Sequence, residues 1–156
     1  MQLFTIGGYG HDEVSFVTAL KDNEIDLFVD IRFRRGMRGS RYSFLNATRL
    51  QEILRDAGIE YIHLKSLAPS DVVRSVQKAA DVQSNDTKRN RLHLSDNFIS
   101  AYKDDVLQNA SQDEIIRAIA GHKHVCFFCV EKAHTACHRS IVTNWLENAA
   151  GPARHI

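Results

Sequence analysis

The chain has 156 residues, of which 44% are hydrophobic and 25% are charged, and its formal net charge is +1 at pH 7. This length and composition predict a single globular domain over residues 1–156 with a sizeable core, and the balanced charge excludes a protein that is polycationic throughout. No apolar run reaches membrane-spanning length, no signal-peptide pattern is present, and the three cysteines are an odd number, so we predict a cytoplasmic protein with reduced thiols and no membrane partner.

Short apolar runs alternate with helical patterns along the first half of the chain. The runs predict strands over residues 3–6, 25–33 and 59–64. Helical spacing between them predicts helices over residues 11–23, with Asp12 as N-cap, and 46–58, with Asn46 as N-cap and Gly58 as the stop. A strand that is followed by a helix and another strand is the repeating unit of a parallel sheet.

The second half repeats this alternation after a polar interruption. We predict a helix over residues 111–121 with a capping box of Ser111 and Glu114, a strand over 124–130, a helix over 138–151 and a short strand over 153–156. The stretch 69–97 is polar with weak helical periodicity, and we interpret it as a surface excursion that is partly helical or mobile. The whole pattern predicts an α/β fold, with a mostly parallel sheet flanked by helices.

The carboxyl ends of the predicted strands carry most of the unusual polar residues. Ligands of an open parallel sheet bind beyond this edge, so we expect one pocket there. The glycines that follow the first strand allow the backbone to approach a phosphate. The residues expected to line the pocket are Gly7, Gly8, Asp30, Arg32, Arg41, His63, Glu131 and Arg139.

An arginine-rich loop follows the second predicted strand, with five arginines in the ten residues from Arg32 to Arg41. Such a density of positive charge is typical of phosphate binding, either on a nucleotide or on a nucleic-acid backbone. Tyr42 and Phe44 follow and could stack on bases. The competing interpretation is a solvated charged loop. Asp30 is expected either to orient an arginine or a substrate hydroxyl, or to cap this loop.

The segment CFFCVEKAHTACHR, residues 126–139, contains all three cysteines of the chain. The C-x-x-C spacing is typical of zinc sites, but residues three apart on a strand point to opposite faces of a sheet. Cys126 and Cys129 therefore cannot share a metal ion, so Cys126 is predicted to be a core residue and no metal site is expected. Cys129 and Cys137 flank the following loop, and they either fix it or surround a ligand.

Candidates for chemistry surround the start of the last predicted helix. Cys137 is a candidate thiolate, because a helix N-terminus stabilises negative charge. His138 is either a general acid or base or a cap of the helix, and Glu131 is either a general base or the partner of an arginine. Arg139 is predicted to hold an anionic group. His63 is either a site residue or a hydrogen-bonded histidine at a strand end.

Several motifs resemble those of the domain-of-unknown-function 488 (DUF488) family, in that family's order. They are TIGGY, VDIR followed by SRYSF, GIEYIHL, and CVE followed by CHRSIVTNWL, and they cover most of the chain outside residues 69–97. The first family motif usually reads T-I-G-H-S, where this chain has Gly8 and Tyr9, and the family's prolines in the first loop and before C-H-R are missing. The resemblance implies an α/β fold and places Arg32 and Arg41 at motif positions, but it implies no particular reaction.

These residues favour an enzyme that acts on a phosphate-bearing substrate, a nucleotide or a nucleic acid, in an arginine-rich pocket. Arginines would hold the phosphates while Glu131, Asp30, His138 or the thiol of Cys137 carries out proton transfer or nucleophilic attack. One alternative is a non-catalytic nucleic-acid-binding module. The other is a thiol redox protein that uses Cys129 and Cys137. The sequence names no cofactor and no oligomeric state.

Overall fold

Five strands form one sheet in a computed structural model, which describes all residues 1–156. The strands are β1 (Gln2–Gly7), β2 (Leu27–Asp30), β3 (Glu60–His63), β4 (His124–Cys129) and β5 (Arg154–His155). Their order across the sheet is β3-β2-β4-β1-β5, and every neighbouring pair is parallel. The predicted α/β fold with a parallel sheet is therefore confirmed. Both faces of such a sheet are covered, which explains why β2 and β4 are apolar runs.

Six α-helices flank the sheet. They are α1 (Glu13–Asp22), α2 (Ala47–Asp56), α3 (Asp71–Ser84), α4 (Asp96–Tyr102), α5 (Gln112–Ile119) and α6 (His138–Ala150). On one face, Phe16 of α1 lies edge-on to Phe28 of β2 and Phe128 of β4. On the other face, α6 packs against β1 and β4 and contacts α4 and α5. None of these helices combines the length and the apolar character that a membrane span requires.

The predicted helix caps form in part. Asp12 caps α1 with a reciprocal capping box, as its N-cap assignment requires. Asn46 occupies the N-cap position of α2, but its side chain accepts a hydrogen bond from the N–H of Met37 at 2.5 Å instead, because the arginine-rich loop folds back over the helix start. Ser111 caps α5 by accepting the N–H of Glu114 at 3.3 Å, and the return bond of the predicted box is missing.

Two parts of the chain differ from the sequence prediction. The strand predicted over residues 25–33 is only Leu27–Asp30, because the carboxylate of Asp30 accepts the N–H of Arg32 at 3.0 Å and turns the backbone out of the sheet. The excursion 69–97 is largely helical, since α3 occupies half of it and α4 begins within it. A π-helical turn (Lys103–Leu107), which the sequence did not predict, extends α4.

Candidate functional site

The loops that follow β1 and β4 meet at the carboxyl edge of the sheet. The backbone N–H groups of Gly8 and Tyr9 both donate to the carbonyl of Val130, at 3.1 and 2.8 Å. A Cβ atom on Gly7 would lie only 2.2 Å from the carbonyl oxygen of Glu131. The missing side chain of Gly7 therefore allows the two loops to touch, which places the residues after β4 beside the first loop.

Glu131 is a buried carboxylate with one oxygen unused. Its Oε1 lies 3.4 Å from Nζ of Lys88 and 3.6 Å from Nη2 of Arg91. Its Oε2 is shielded from solvent, and no nitrogen or oxygen donor lies within hydrogen-bond distance of it. Burial alone would raise the pKa of Glu131, but the positive charge of Lys88, that of His138 when it is protonated, and the neighbouring thiols of Cys129 and Cys137 lower it to about 2. The group is therefore ionised at neutral pH, with a lone pair available to a ligand.

Two thiols and an imidazole lie together at the start of α6. The ligating atoms of Cys129, Cys137 and His138 are all within 4.8 Å of one another, and all three side chains are buried. Nδ1 of His138 is 3.9 Å from Sγ of Cys137, and its Nε2 is 3.2 Å from the carbonyl oxygen of Ile31. All the cysteines are free, and Cys126 is buried in the core on the opposite face of the sheet, as predicted.

The thiol of Cys129 is held in its neutral form. A hydrogen bond with Cys137, burial, and the negative charge of Glu131 raise the pKa of Cys129 well above its ordinary value. A neutral thiol is a poor nucleophile, so Cys129 does not attack a substrate in this state.

Asp30 and Arg32 are engaged with each other rather than with a ligand. Asp30 is fully buried, and it accepts hydrogen bonds from Nε and Nη2 of Arg32, the closer at 2.7 Å, and from the hydroxyl of Tyr61 at 3.0 Å. Arg32 also donates to the carbonyl of Leu45 at 2.9 Å. His63 contacts the carbonyl oxygen of Arg32 at 2.8 Å. Two desolvated charges at a strand end satisfy each other here, so the expected phosphate contact of Arg32 is not supported.

Arg139 also binds the protein itself. Its side chain is buried, and it donates to the carbonyl oxygens of Glu131 and Lys132 at 2.7 and 3.0 Å. The expected anion beside this guanidinium is therefore replaced by two backbone carbonyls. A cation is tolerated in the first turn of α6 because these carbonyls partly neutralise it, and in return it fixes the loop that carries Glu131.

Arg41 belongs to a group that we call the basic–aromatic ridge, composed of the exposed Arg41 and Arg89, the partly exposed Tyr9 and the buried Tyr42. Arg41 lies over the ring of Tyr42 at 5.3 Å, and Arg89 lies over the ring of Tyr9 at 5.6 Å. The two tyrosine rings are 5.1 Å apart, edge to face. Two exposed guanidinium groups therefore flank a pair of aromatic rings, of which only Tyr9 is open to solvent.

Sequence reasoning assigned no individual role to two cations beside Glu131. Lys88 and Arg91 belong to the excursion 69–97, within the basic run TKRNR of residues 87–91. Arg91 is buried, with Asp81 at 2.7 Å and the carbonyl of Ala136 at 3.2 Å. These contacts anchor the excursion over the site, so the segment is a wall of the site and not only a surface insertion.

Because the pKa of Glu131 is lowered in the folded protein, we predict that protonation of this carboxylate in acid reduces the free energy of unfolding. The folded protein binds fewer protons here than the unfolded chain, so the contribution is complete above about pH 4.5 and is lost as the pH falls toward the folded pKa of about 2. Across this window, we expect wild type to lose on the order of 3 kcal/mol more unfolding free energy than Glu131→Gln. Urea unfolding at several pH values measures this. Glu147→Gln, an exposed change in α6, should keep the wild-type pH dependence.

Comparison with known proteins gives one match. A family model described as "Domain of unknown function DUF488" matches residues 14–146. No curated protein and no solved structure matches the chain.

Proposed function

This chain belongs to the DUF488 family, and from that premise we propose that it is an enzyme that acts on a phosphate-bearing substrate, either a nucleotide or a nucleic acid. The family description names no reaction, so the proposal depends on the site. The observation that carries it is the buried Oε2 of Glu131, which has only the weakly donating thiols of Cys129 and Cys137 near it and lies at the carboxyl edge of the sheet, where ligands of parallel α/β folds bind. A buried carboxylate oxygen without a partner is costly unless a ligand uses it.

Glu131 is the reacting group in this proposal. Its ionised carboxylate would accept a hydrogen bond from water or from a substrate hydroxyl and take up the proton as that oxygen bonds to a substrate phosphorus. The phosphorus–oxygen bond to the leaving group would break in the same step, and the leaving oxygen would take a proton from solvent. Lys88 is more than half exposed, so its ammonium is free to move onto a substrate phosphate. That movement would release Glu131 from its ion pair as the substrate binds.

Substrate phosphates are assigned to the ridge and not to the buried arginines. Arg41 and Arg89 are exposed, whereas Arg32 and Arg139 are buried and bonded to the protein. Tyr9 connects the ridge with the site, because its N–H bonds the carbonyl of Val130, the residue before Glu131. A nucleotide on the ridge would thus lie near the free carboxylate oxygen. We also propose that the enzyme is cytoplasmic, because its three cysteines are free and thiols stay reduced in that compartment.

The decisive variant is Glu131→Gln, which keeps the shape of the side chain and removes its charge. Wild-type protein is incubated with nucleoside mono-, di- and triphosphates and with short single-stranded RNA and DNA, and products are followed by chromatography. We expect turnover to fall by about 100-fold or more in Glu131→Gln, with little change in Kd measured by calorimetry. Glu147→Gln is the matched control and should turn over like wild type.

A non-catalytic binding module would give a different result. It would turn over none of these compounds and would bind the oligonucleotides with affinity that falls steeply with salt. Arg41→Ala and Arg89→Ala would then each weaken binding, and Glu131→Gln would not. That combination would overturn the enzyme proposal.

A further inference from the structure

We propose that Cys129, Cys137 and His138 bind a transition-metal ion of the zinc class, with Glu131 beside the open coordination position. The inference goes beyond the proposed reaction and does not depend on it, because it rests on the arrangement of donor atoms. The sequence predicted no metal site, on the ground that Cys126 and Cys129 point to opposite faces of the sheet; the site inferred here excludes Cys126.

The donor set and its spacing fit such an ion. Zinc binds thiolate at about 2.3 Å and imidazole at about 2.0 Å, so donors around one tetrahedral ion are about 3.7 Å apart. The three donor atoms here are already within 4.8 Å of one another. Small rotations of side chains at the end of β4 and the start of α6 would close the remaining distance. Two sulfurs and one imidazole nitrogen favour zinc over magnesium or calcium.

The imidazole of His138 is held as metal-ligating histidines usually are. A carbonyl oxygen can only accept, so the 3.2 Å contact with Ile31 places the proton of the neutral ring on Nε2. The lone pair of Nδ1 then faces Cys137. A hydrogen bond from the distal ring nitrogen to a backbone carbonyl is the outer contact that fixes tautomer and ring orientation in metal sites.

The surrounding charges suit a divalent cation. Two thiolates and the Glu131 carboxylate supply negative charge in a buried region, and the cation together with Lys88 and Arg91 would balance it. Without a cation, Oε2 of Glu131 has no nitrogen or oxygen donor within hydrogen-bond distance. Three protein ligands leave one position for water, and Oε2 is the acceptor beside it.

The test uses the full-length reduced protein, stripped of metal with a chelator and then titrated with Zn²⁺ or Co²⁺, with no substrate present. We expect one equivalent of metal per chain, a rise in Tm with Zn²⁺, and thiolate-to-cobalt charge-transfer absorption with Co²⁺. Cys137→Ser and His138→Gln should each weaken Zn²⁺ binding by at least about 100-fold, more than a lost outer contact costs. Cys126→Ala, a buried cysteine outside the site, should keep stoichiometry and spectrum.

Several results would overturn the inference. One is the absence of stoichiometric binding to folded, reduced wild type, and another is equal affinity in Cys137→Ser and His138→Gln. A third is a disulfide between Cys129 and Cys137 that forms as fast with Zn²⁺ as without it, which would favour thiol redox chemistry. Circular dichroism checks the fold of each variant, and the two ligand variants give independent readings. Turnover of phosphate compounds is not a readout, so this inference and the proposed enzyme can fail separately.

Discussion

Asp30→Asn is expected to destabilise the protein by about 3 kcal/mol or more, because it leaves the buried guanidinium of Arg32 without a counter-charge. Asp30 is fully buried, and Arg32 is only 4% exposed. The carboxylate also accepts the hydroxyl of Tyr61, whose pKa is raised to about 12, mainly by burial, so that this hydroxyl remains a donor. Urea unfolding followed by circular dichroism measures the loss as a lower midpoint with an unchanged slope.

A surface ion pair provides the matched control for Asp30. Glu13 and Arg49 lie 2.7 Å apart, but their side chains are 42% and 50% exposed. Glu13→Gln should therefore cost only about 0–1 kcal/mol. The double variant Asp30→Asn/Arg32→Met should recover part of the loss, because it removes the orphaned charge. Equal costs for Asp30→Asn and Glu13→Gln would show that Asp30 and Arg32 are not a desolvated pair.

Gly7→Ala is expected to destabilise the protein by about 1–3 kcal/mol and to displace the loop that carries Glu131. The new methyl group would lie 2.2 Å from the carbonyl oxygen of Glu131 and 3.2 Å from Nη2 of Arg139. The first of these is a backbone atom and cannot rotate away, so β1 and the loop after β4 must separate. Unfolding measurements give the cost, and the turnover assay reports the displacement of Glu131.

Gly36→Ala is the control for Gly7. Its methyl group would meet nothing closer than the side-chain oxygen of Asn46 at 4.0 Å. We expect a change within about 1 kcal/mol, in the stabilising direction, since alanine restricts the unfolded chain. A Gly7→Ala protein as stable as Gly36→Ala would contradict the tight contact between the two loops.

The buried arginines show why charge density in the sequence did not identify the ligand-binding cations. Arg32 and Arg139 lie in motifs and at the predicted edge, yet both are bonded to atoms of the chain itself. Lys88 comes from a polar stretch with weak periodicity, yet it lies beside the free carboxylate. The partner of a long cationic side chain depends on how deeply its charged group is buried and on which groups it can reach in the folded protein. Neither property can be read from the neighbouring residues in the sequence.

The order and type of the main helices and strands could be predicted from the sequence, because they depend on apolar residues that recur every two or about 3.6 positions. Apolar runs marked the strands, and Asp12 and Gly58 marked a helix start and a helix end. The contact between Gly7 and Glu131 depends on the folded sheet, in which β4 lies between β1 and β2. Strand order brings together residues that are more than a hundred positions apart in the sequence. The spacing of apolar residues along the chain predicts helices and strands, but it does not predict the order of the strands in the sheet.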